Sequence, residues 1–588
     1  MTLIAGIISR NSNYPPPASV CDSLRHSISR DSRCEIKVFD TPAGFIVNAD
    51  IGAYGVSAYK TGADNSLTLI AGEPLLDFGG DQARRNRKDD AVLIHDECAN
   101  GNWDVLKKAR GTFCAVHYQP AAGAINLIAD KLGLRPLYFW ANEKYVIFAG
   151  ALRILEDVAE IPKRMDVRAV TEIVGLGYPL ADRTPYTDIF LLKAAEIVRI
   201  TKSEISRRHY WSWDEIEISN DSEENLLSEL YRQFDNATRR RIGTDKITLA
   251  YLSGGLDSRC VVAALRSQNV RVHTFNFSRP NTQDQIFGLD FAGKIDTVHE
   301  EVLKEAGNLV PDYAWLMAQA WSASKHRKTL PAERPALVWN GEGGSVALGH
   351  VHLNEKIACL MRENRIDAAI EEYLERESVY VSAKLFRSEI FSGVSQFIKN
   401  GIRQELSSFN CRDAARNFYF FLMLNDQRRK LAGHFENIDL HRLELQSPFL
   451  DGAFLASIAA VPIDLCFRHK FYVKWLKLFH PAVTSVAWQA YPGHEPCPLP
   501  IPKDLTYQWA EEYQNAERKT KKRKLIKQTS ELLRASDFPD KILSRKNLRL
   551  ATLIHSTGWR NYDYLLEAAQ IYHKYWEKCG GEYVLPTM

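Results

Sequence analysis

The sequence contains no CxxC pair, no long apolar run and little net charge, and each absence removes a class of protein. Its ten cysteines, at 21, 34, 98, 114, 260, 359, 411, 466, 497 and 579, are scattered. Scattered thiols without an export signal predict reduced cysteines in a cytoplasm rather than a disulfide framework. Nowhere do the ~18 apolar residues needed to cross a bilayer run together. The apolar start, Leu3 to Ile8, follows no basic residue, so neither export nor a membrane partner is expected. A net charge of +3 is too small to argue for nucleic acid. The basic run Arg518 to Lys527 has no nucleic-acid motif beside it; it reads as a solvated helix face or a contact for an acidic or peptide partner. A length of 588 residues, 45% apolar and 25% charged, predicts a soluble globular chain of two or three domains.

The stretch with most chemistry is Lys246 to Phe277, KITLAYLSGGLDSRCVVAALRSQNVRVHTFNF. Ile247 to Leu252 is a short apolar run, Ser253-Gly254-Gly255 a tight turn, and Val261, Val262, Ala264 and Leu265 recur at helical spacing before a second apolar run, Val272 to Phe277. That order is strand, glycine turn, helix, strand. The helix would aim its unpaired N–H groups at the turn, where glycines admit an anion to the backbone. The lysine of a P-loop is missing; Ser253 and Ser258 offer hydroxyls and Asp257 a carboxylate instead. Such a set suits a pyrophosphate with Mg²⁺ on Asp257, with attack at the α-phosphate releasing pyrophosphate. The competing reading is an ordinary glycine turn with Asp257 as a helix cap.

Before this stretch the chain alternates short apolar segments and turns: Leu3–Ile8, Gly44–Val47, Ser66–Ala71, Gly111–Tyr118, Ala124–Ile128, Tyr145–Phe148 and Glu196–Ile200. These predict a sheet-rich first domain. After it, Ala336 to His350 (ALVWNGEGGSVALGH) runs an apolar segment into a second glycine turn. Helical patterns then dominate, including Ala368–Tyr380 and Ala415–Leu431.

Taken together these motifs resemble the asparagine synthetase family, across nearly the whole chain. The family's Met-Cys-Gly-Ile start is paralleled by Met1-Thr2-Leu3-Ile4-Ala5-Gly6-Ile7, and its Arg-Asp-x-x-Gly-x-x-Pro-Leu-Tyr by Ala129 to Tyr138. The second glycine turn parallels Ser-Gly-Glu-Gly-Ser-Asp-Glu, and His441 to Phe454 parallels Glu-x-Arg-x-Pro-Phe-Leu-Asp. The resemblance implies an α+β glutaminase-like sandwich over 1–205, a linker over 206–225, and over 226–588 an α/β ATP-pyrophosphatase domain with a parallel sheet and a helical C-terminal part. It also implies ATP and Mg²⁺ as cofactors. Leu252, Ser253, Gly254, Gly255, Leu256, Asp257 and Ser258 would hold the pyrophosphate, with Asp257 on the metal. Phe277 would line the adenine site. Asp284 would act at ATP or serve only as a first-turn carboxylate. Asn340, Gly341 and Gly343 would flank the nucleotide. Glu342 would take a proton from the attacking amine, and Glu444 would orient substrate or be a surface acid.

The departures from the family carry as much as the matches. Thr2 stands where the family has its glutamine-attacking cysteine, and Arg30-Asp31 is only an echo of the glutamine-binding motif, so glutaminase activity is not expected. Ser345 replaces a metal-binding aspartate, Gln446 an arginine, and Tyr491 falls at the place of a lysine that stabilises reaction charge; the nearest lysine downstream is Lys503. His494 and Cys497 lack the further ligands a metal site needs. Lasso peptide cyclases, in the same superfamily, also use a Gly-Gly at the second turn, and they are the members this chain is most similar to. That resemblance implies adenylation of an Asp or Glu side chain of a precursor peptide and closure onto the peptide's own N-terminal amine. A leader-binding protein and a leader peptidase are the implied partners. A β-lactam synthetase, an ammonia-using asparagine synthetase and a non-catalytic scaffold remain open.

Overall fold

Short alternating segments with both faces covered read as apolar throughout, and this is how the first domain is built. The computed structural model describes residues 2–11, 14–78, 86–304, 312–507 and 510–586. One six-stranded sheet has the order Phe190–Leu191, Tyr138–Ala141, Tyr145–Ala149, Leu3–Ser9, Gly44–Asp50, Glu35–Thr41. The second has the order Ile205–His209, Glu196–Ile200, Ala124–Ala129, Phe113–Gln119, Leu67–Gly72, Tyr59–Thr61. Ile4, Ile8 and Ile46 of the first meet Leu69, Val116 and Leu127 of the second in one core. The helix Ala18–Ser27 packs Val20 and Leu24 against the outer face of the first sheet, and Arg87–Ala99 packs Ala91 and Ile94 against the second. This is the expected α+β sandwich.

The expected linker, 206–225, is corrected at its start. Residues Ile205–His209 form an antiparallel edge strand against Glu196–Ile200. All five are exposed, so no buried alternation marked them as strand. Even the following turn is anchored: the Tyr210 hydroxyl donates to Ala129 O at 2.9 Å and Trp213 Nε1 to Lys131 O at 2.7 Å.

The second domain begins with the helix Glu223–Ile242, capped by the Ser222 hydroxyl. Five parallel strands follow in the spatial order Val298–Glu301, Arg271–Asn276, Ile247–Tyr251, Leu337–Trp339, Glu444–Gln446. The chain therefore winds outward from Ile247–Tyr251 on one side, then returns to build Leu337–Trp339 on the other. The strand order reverses between these two neighbours, and in doubly wound sheets ligands bind in the crevice beyond the strand ends at such a reversal.

Helices wall that crevice. The expected continuous helix Ala415–Leu431 is instead Ala415–Phe421, a π-helical segment Leu422–Gln427, and Arg428–Glu436. A widened turn of this kind shifts the helical period, but here every residue of Leu422–Gln427 is buried, so no amphipathic pattern shows the shift in the sequence. The two domains meet through buried charge. Asp451 pairs with Arg110 and Arg241 at 2.8 and 2.7 Å, and Asp439 with Arg30 and Arg153 at 2.7 and 3.1 Å. Among the described residues no single helix is long and apolar enough to cross a membrane. All ten cysteines are free thiols.

Candidate active site at the strand reversal

Beyond the ends of Ile247–Tyr251 and Leu337–Trp339 lies a cavity of about 790 Å³, within the range of small-ligand sites. The glycine turn is held open by its own hydroxyls. Ser253 N donates to Ser258 Oγ at 3.0 Å, Ser253 Oγ lies 3.0 Å from Ser258 Oγ, and Gly255 N donates to Ser253 Oγ at 3.2 Å. The next helix, Leu256–Ser267, starts at this turn and aims its N-terminus into the cavity.

Gly254 has a different reason to be glycine than anion access. A Cβ there would stand 2.6 Å from Gln283 O, and its N–H is already given to Asp284 Oδ1 at 3.0 Å. Asp284 thus fastens the turn to the helix Gln283–Lys294, whose N-cap is Thr282. Burial pushes the Asp284 carboxyl up to about 6.

The second turn comes down on the first. A Cβ on Gly341 would lie 2.6 Å from Ser258 N, and one on Gly344 would lie 2.6 Å from Asp257 Cγ. Gly343 is at φ 91°, in the left-handed region. Asp257 accepts from the Tyr472 hydroxyl at 2.6 Å, from Ser345 Oγ at 3.0 Å and from Ser345 N at 3.1 Å. Enclosure by the cavity walls raises its pKa, partly offset by these bonds. Glu342 stands open to the cavity but surrounded by its walls. That enclosure, and then the Asp257 charge, raises its carboxyl too. The Glu342 backbone N donates to Asn340 Oδ1 at 3.3 Å, and Asn340 Oδ1 also accepts from Ser447 Oγ at 2.7 Å.

The donor set around Asp257 bears on magnesium. No Lys or Arg pairs with Asp257 among the described residues, so a carboxylate is pinned at the cavity floor without a counter-cation. Nor, among the described residues, do three His, Cys, Asp or Glu side chains gather to hold a metal by themselves. One carboxylate plus phosphate oxygens is how Mg²⁺ commonly binds, so the site fits a cation that arrives with a nucleotide.

Of the residues expected to hold the nucleotide or take part in the reaction, all but Gly254 and Glu444 line this one cavity: Leu252, Ser253, Gly255, Leu256, Asp257, Ser258, Phe277, Asp284, Asn340, Gly341, Glu342, Gly343 and Tyr491. Gly254 packs behind the turn. Glu444 is the correction: it does not line the cavity. It is fully buried at the domain interface, in a two-pronged ion pair with Arg135 at 3.0 and 2.7 Å. Arg135 Nη2 also donates to Thr2 O at 2.7 Å. The strand Glu444–Gln446 runs beside Leu337–Trp339, and alternation turns Glu444 away from the crevice.

Other residues of the site were missed. Tyr472 holds Asp257, and Arg259 donates to the carbonyls of Gly255, Val483, Val486 and Ala487, fastening the segment before Tyr491 to the glycine turn. Nothing local marks either. Tyr491 stacks on His469 with ring centroids 5.4 Å apart, and His469 Nδ1 lies 2.6 Å from His494 Nδ1. Lys430 also lines the cavity, whereas Lys503 does not.

In the first domain Thr2 is buried, its hydroxyl accepting from Ile51 N at 3.1 Å while its own N donates to Ala49 O at 2.8 Å. Its oxygen serves the backbone.

A glutamine amidotransferase domain family matches residues 79–211 and an asparagine synthase family matches residues 229–332. One match falls in each of the two domains. The first match runs past the edge strand Ile205–His209, in keeping with the corrected linker. A protein of Methanocaldococcus jannaschii with the provisional name asparagine synthetase [glutamine-hydrolyzing] 2 is 25% identical over 269 residues, 43% of this chain and 52% of its own length. Asparagine synthetase [glutamine-hydrolyzing] 3 of Bacillus subtilis is 26% identical over 181 residues, 30% of this chain and 28% of its own. The matches thus span about half or less of these relatives. A solved glutamine phosphoribosylpyrophosphate amidotransferase from B. subtilis, complexed with ADP and GMP, has 10% identity and TM-score 0.24, covering 53% of this chain and 83% of its own; that likeness carries nothing further.

Proposed function

We propose that this asparagine synthetase-like chain is an ATP-dependent ligase that forms an amide through an acyl-AMP intermediate. The observation that carries the reading is the convergence of two glycine turns at the strand reversal, with Asp257 pinned between them and Glu342 opening onto the same cavity. Ser253, Gly255 and Ser258 would take the pyrophosphate portion of ATP, and Asp257 would share Mg²⁺ with its oxygens, a cation that offsets phosphate charge. A substrate carboxylate oxygen bonds to the α-phosphorus, the bridging P–O bond breaks, and pyrophosphate leaves with the electron pair. The amine then attacks the acyl carbon and AMP leaves. Glu342 accepts the amine's proton, a role its raised pKa suits, since a base nearer neutrality transfers protons more effectively.

The amine source follows from the first domain. Thr2 lacks a thiol and its hydroxyl is engaged with Ile51 N, so the reading excludes glutamine as nitrogen donor. We take the amine to be intramolecular: a precursor peptide whose Asp or Glu side chain is adenylated and closed onto its own N-terminus, as a lasso peptide cyclase does. The Gly343-Gly344 pair supports this reading, and a leader-binding protein and a leader peptidase would be its partners. The test is ATP–pyrophosphate exchange with candidate carboxylates. Exchange that requires an acidic core peptide and vanishes in Asp257→Ala supports the proposal. Exchange with free aspartate refutes the peptide substrate and favours a small-molecule synthetase. No exchange with any carboxylate refutes the ligase and leaves a scaffold.

A further inference from the structure

The cavity is rich in carboxylates and poor in cations. Asp257, Asp284, Asp312, Glu342 and Glu495 line it against one ammonium, Lys430, and no guanidinium among the described residues. Its four histidines do not redress the balance: burial lowers His434 and His469 to about 3 and lowers His494 as well, while His441 is engaged 2.9 Å from the cavity carboxylate of Asp312. A polyphosphate entering with one divalent cation remains anionic, and Lys430 is the fixed positive charge that faces it.

Its position has a structural cause. Lys430 is the third residue of the helix Arg428–Glu436, immediately after the π-helical segment Leu422–Gln427. Insertions of this kind shift the register of the next helical turns and recur at functional sites. Here three successive cations part company. Arg428 donates to the backbone oxygen of Gly133 at 3.1 Å and Arg429 to those of Ala181 and Arg183 at 2.6 and 2.8 Å; both are buried and structural. Lys430 instead keeps a half-exposed side chain and, among the described residues, a single ion pair, 2.8 Å to Asp426 one turn earlier. Asp426 is itself held by the Tyr178 hydroxyl at 3.1 Å. An ammonium has three donor hydrogens, so this pair orients Lys430 and leaves two for a ligand.

We propose that Lys430 is a nucleotide-binding residue that meets the phosphates of ATP and offsets the charge that builds as pyrophosphate departs. The assignment rests on the ATP reading above. Pyrophosphate exchange and calorimetric Mg·ATP binding are compared among the wild-type chain, Lys430→Met, Lys430→Arg and Asp426→Asn. We expect Lys430→Met to lower the exchange kcat about 10²-fold and to weaken Mg·ATP binding about tenfold. Lys430→Arg should restore much of both, and Asp426→Asn should fall between, with the carboxylate substrate's KM nearly unchanged throughout. Wild-type exchange and binding in Lys430→Met overturns this assignment alone. A kcat loss that Arg does not rescue, accompanied by a lower melting temperature, also overturns it, because the role is then structural. A wild-type chain with neither exchange nor Mg·ATP binding overturns the ATP reading and this assignment with it.

Discussion

Replacing Glu444 by glutamine separates structure from chemistry in this molecule. Glu444 makes two charged hydrogen bonds to Arg135, and the side chains are 0% and 3% exposed. Water therefore cannot compensate when the negative charge is removed. Besides the glutamine oxygen, Arg135 keeps among the described residues Thr2 O at 2.7 Å and the face of Phe435, 5.4 Å from its guanidinium carbon. Removing one partner of a buried pair typically costs about 3–5 kcal/mol, and glutamine leaves one acceptor, which places the loss near ~3 kcal/mol. Replacing both partners by apolar residues of similar size, Arg135→Met with Glu444→Leu, removes the stranded charge, so the double variant should be more stable than Glu444→Gln. Urea unfolding of the full chain reads the stability; pyrophosphate exchange per folded molecule reads the chemistry. The interface assignment requires a large stability loss with exchange per folded molecule retained. A Glu444→Gln protein as stable as wild type but inactive refutes it and returns Glu444 to the substrate.

Glu342→Gln should retain pyrophosphate exchange while amide formation falls about 10²–10⁴-fold; equal loss of both steps contradicts a base role. In single-turnover pH profiles the acidic limb of amide formation should lie above the ordinary carboxylate range, because enclosure by the cavity walls and then the Asp257 charge raise Glu342. Gly344→Ala drives a methyl to 2.6 Å from Asp257 Cγ, so exchange should fall at least about tenfold with the circular dichroism spectrum unchanged; normal exchange disproves the close approach. The Asp284 carboxyl, held at about 6 against about 3.9 unfolded, favours the fold when protonated. Its contribution is complete below about pH 4 and is lost as pH rises through about 6, a change of about 3 kcal/mol. Asp284→Asn should thus be more stable than wild type at pH 7.5 but not at pH 4; equal effects at both pH values contradict the burial argument.

The residues show which parts of this account a sequence can carry. Both glycine turns were readable because glycine, serine and carboxylate at fixed offsets between apolar runs have few structural uses, and Gly341 and Gly344 indeed meet Ser258 and Asp257 at close range. Strands with buried faces, such as Leu3–Ser9 and Phe113–Gln119, were legible as apolar runs. The edge strands Glu35–Thr41 and Ile205–His209 were not, since their exposed faces carry no burial pattern. Glu444 was misassigned because a motif gives a residue's address along the chain but not which face of the strand it occupies. Tyr472 and Lys430 were invisible for a related reason: they come to the cavity from helices more than a hundred residues beyond the glycine turn, placed by packing and by a π turn inside a segment buried on every side.

The most direct test of the central claim follows an oxygen atom. A substrate whose carboxylate carries ¹⁸O is turned over with Mg·ATP, and the phosphorus products are examined by mass spectrometry. Adenylation joins a carboxylate oxygen to the α-phosphorus, and amide formation breaks the acyl C–O bond, so one ¹⁸O must leave in AMP for each amide formed. Label in inorganic phosphate with ADP as co-product, or amide formed without label in AMP, contradicts the account.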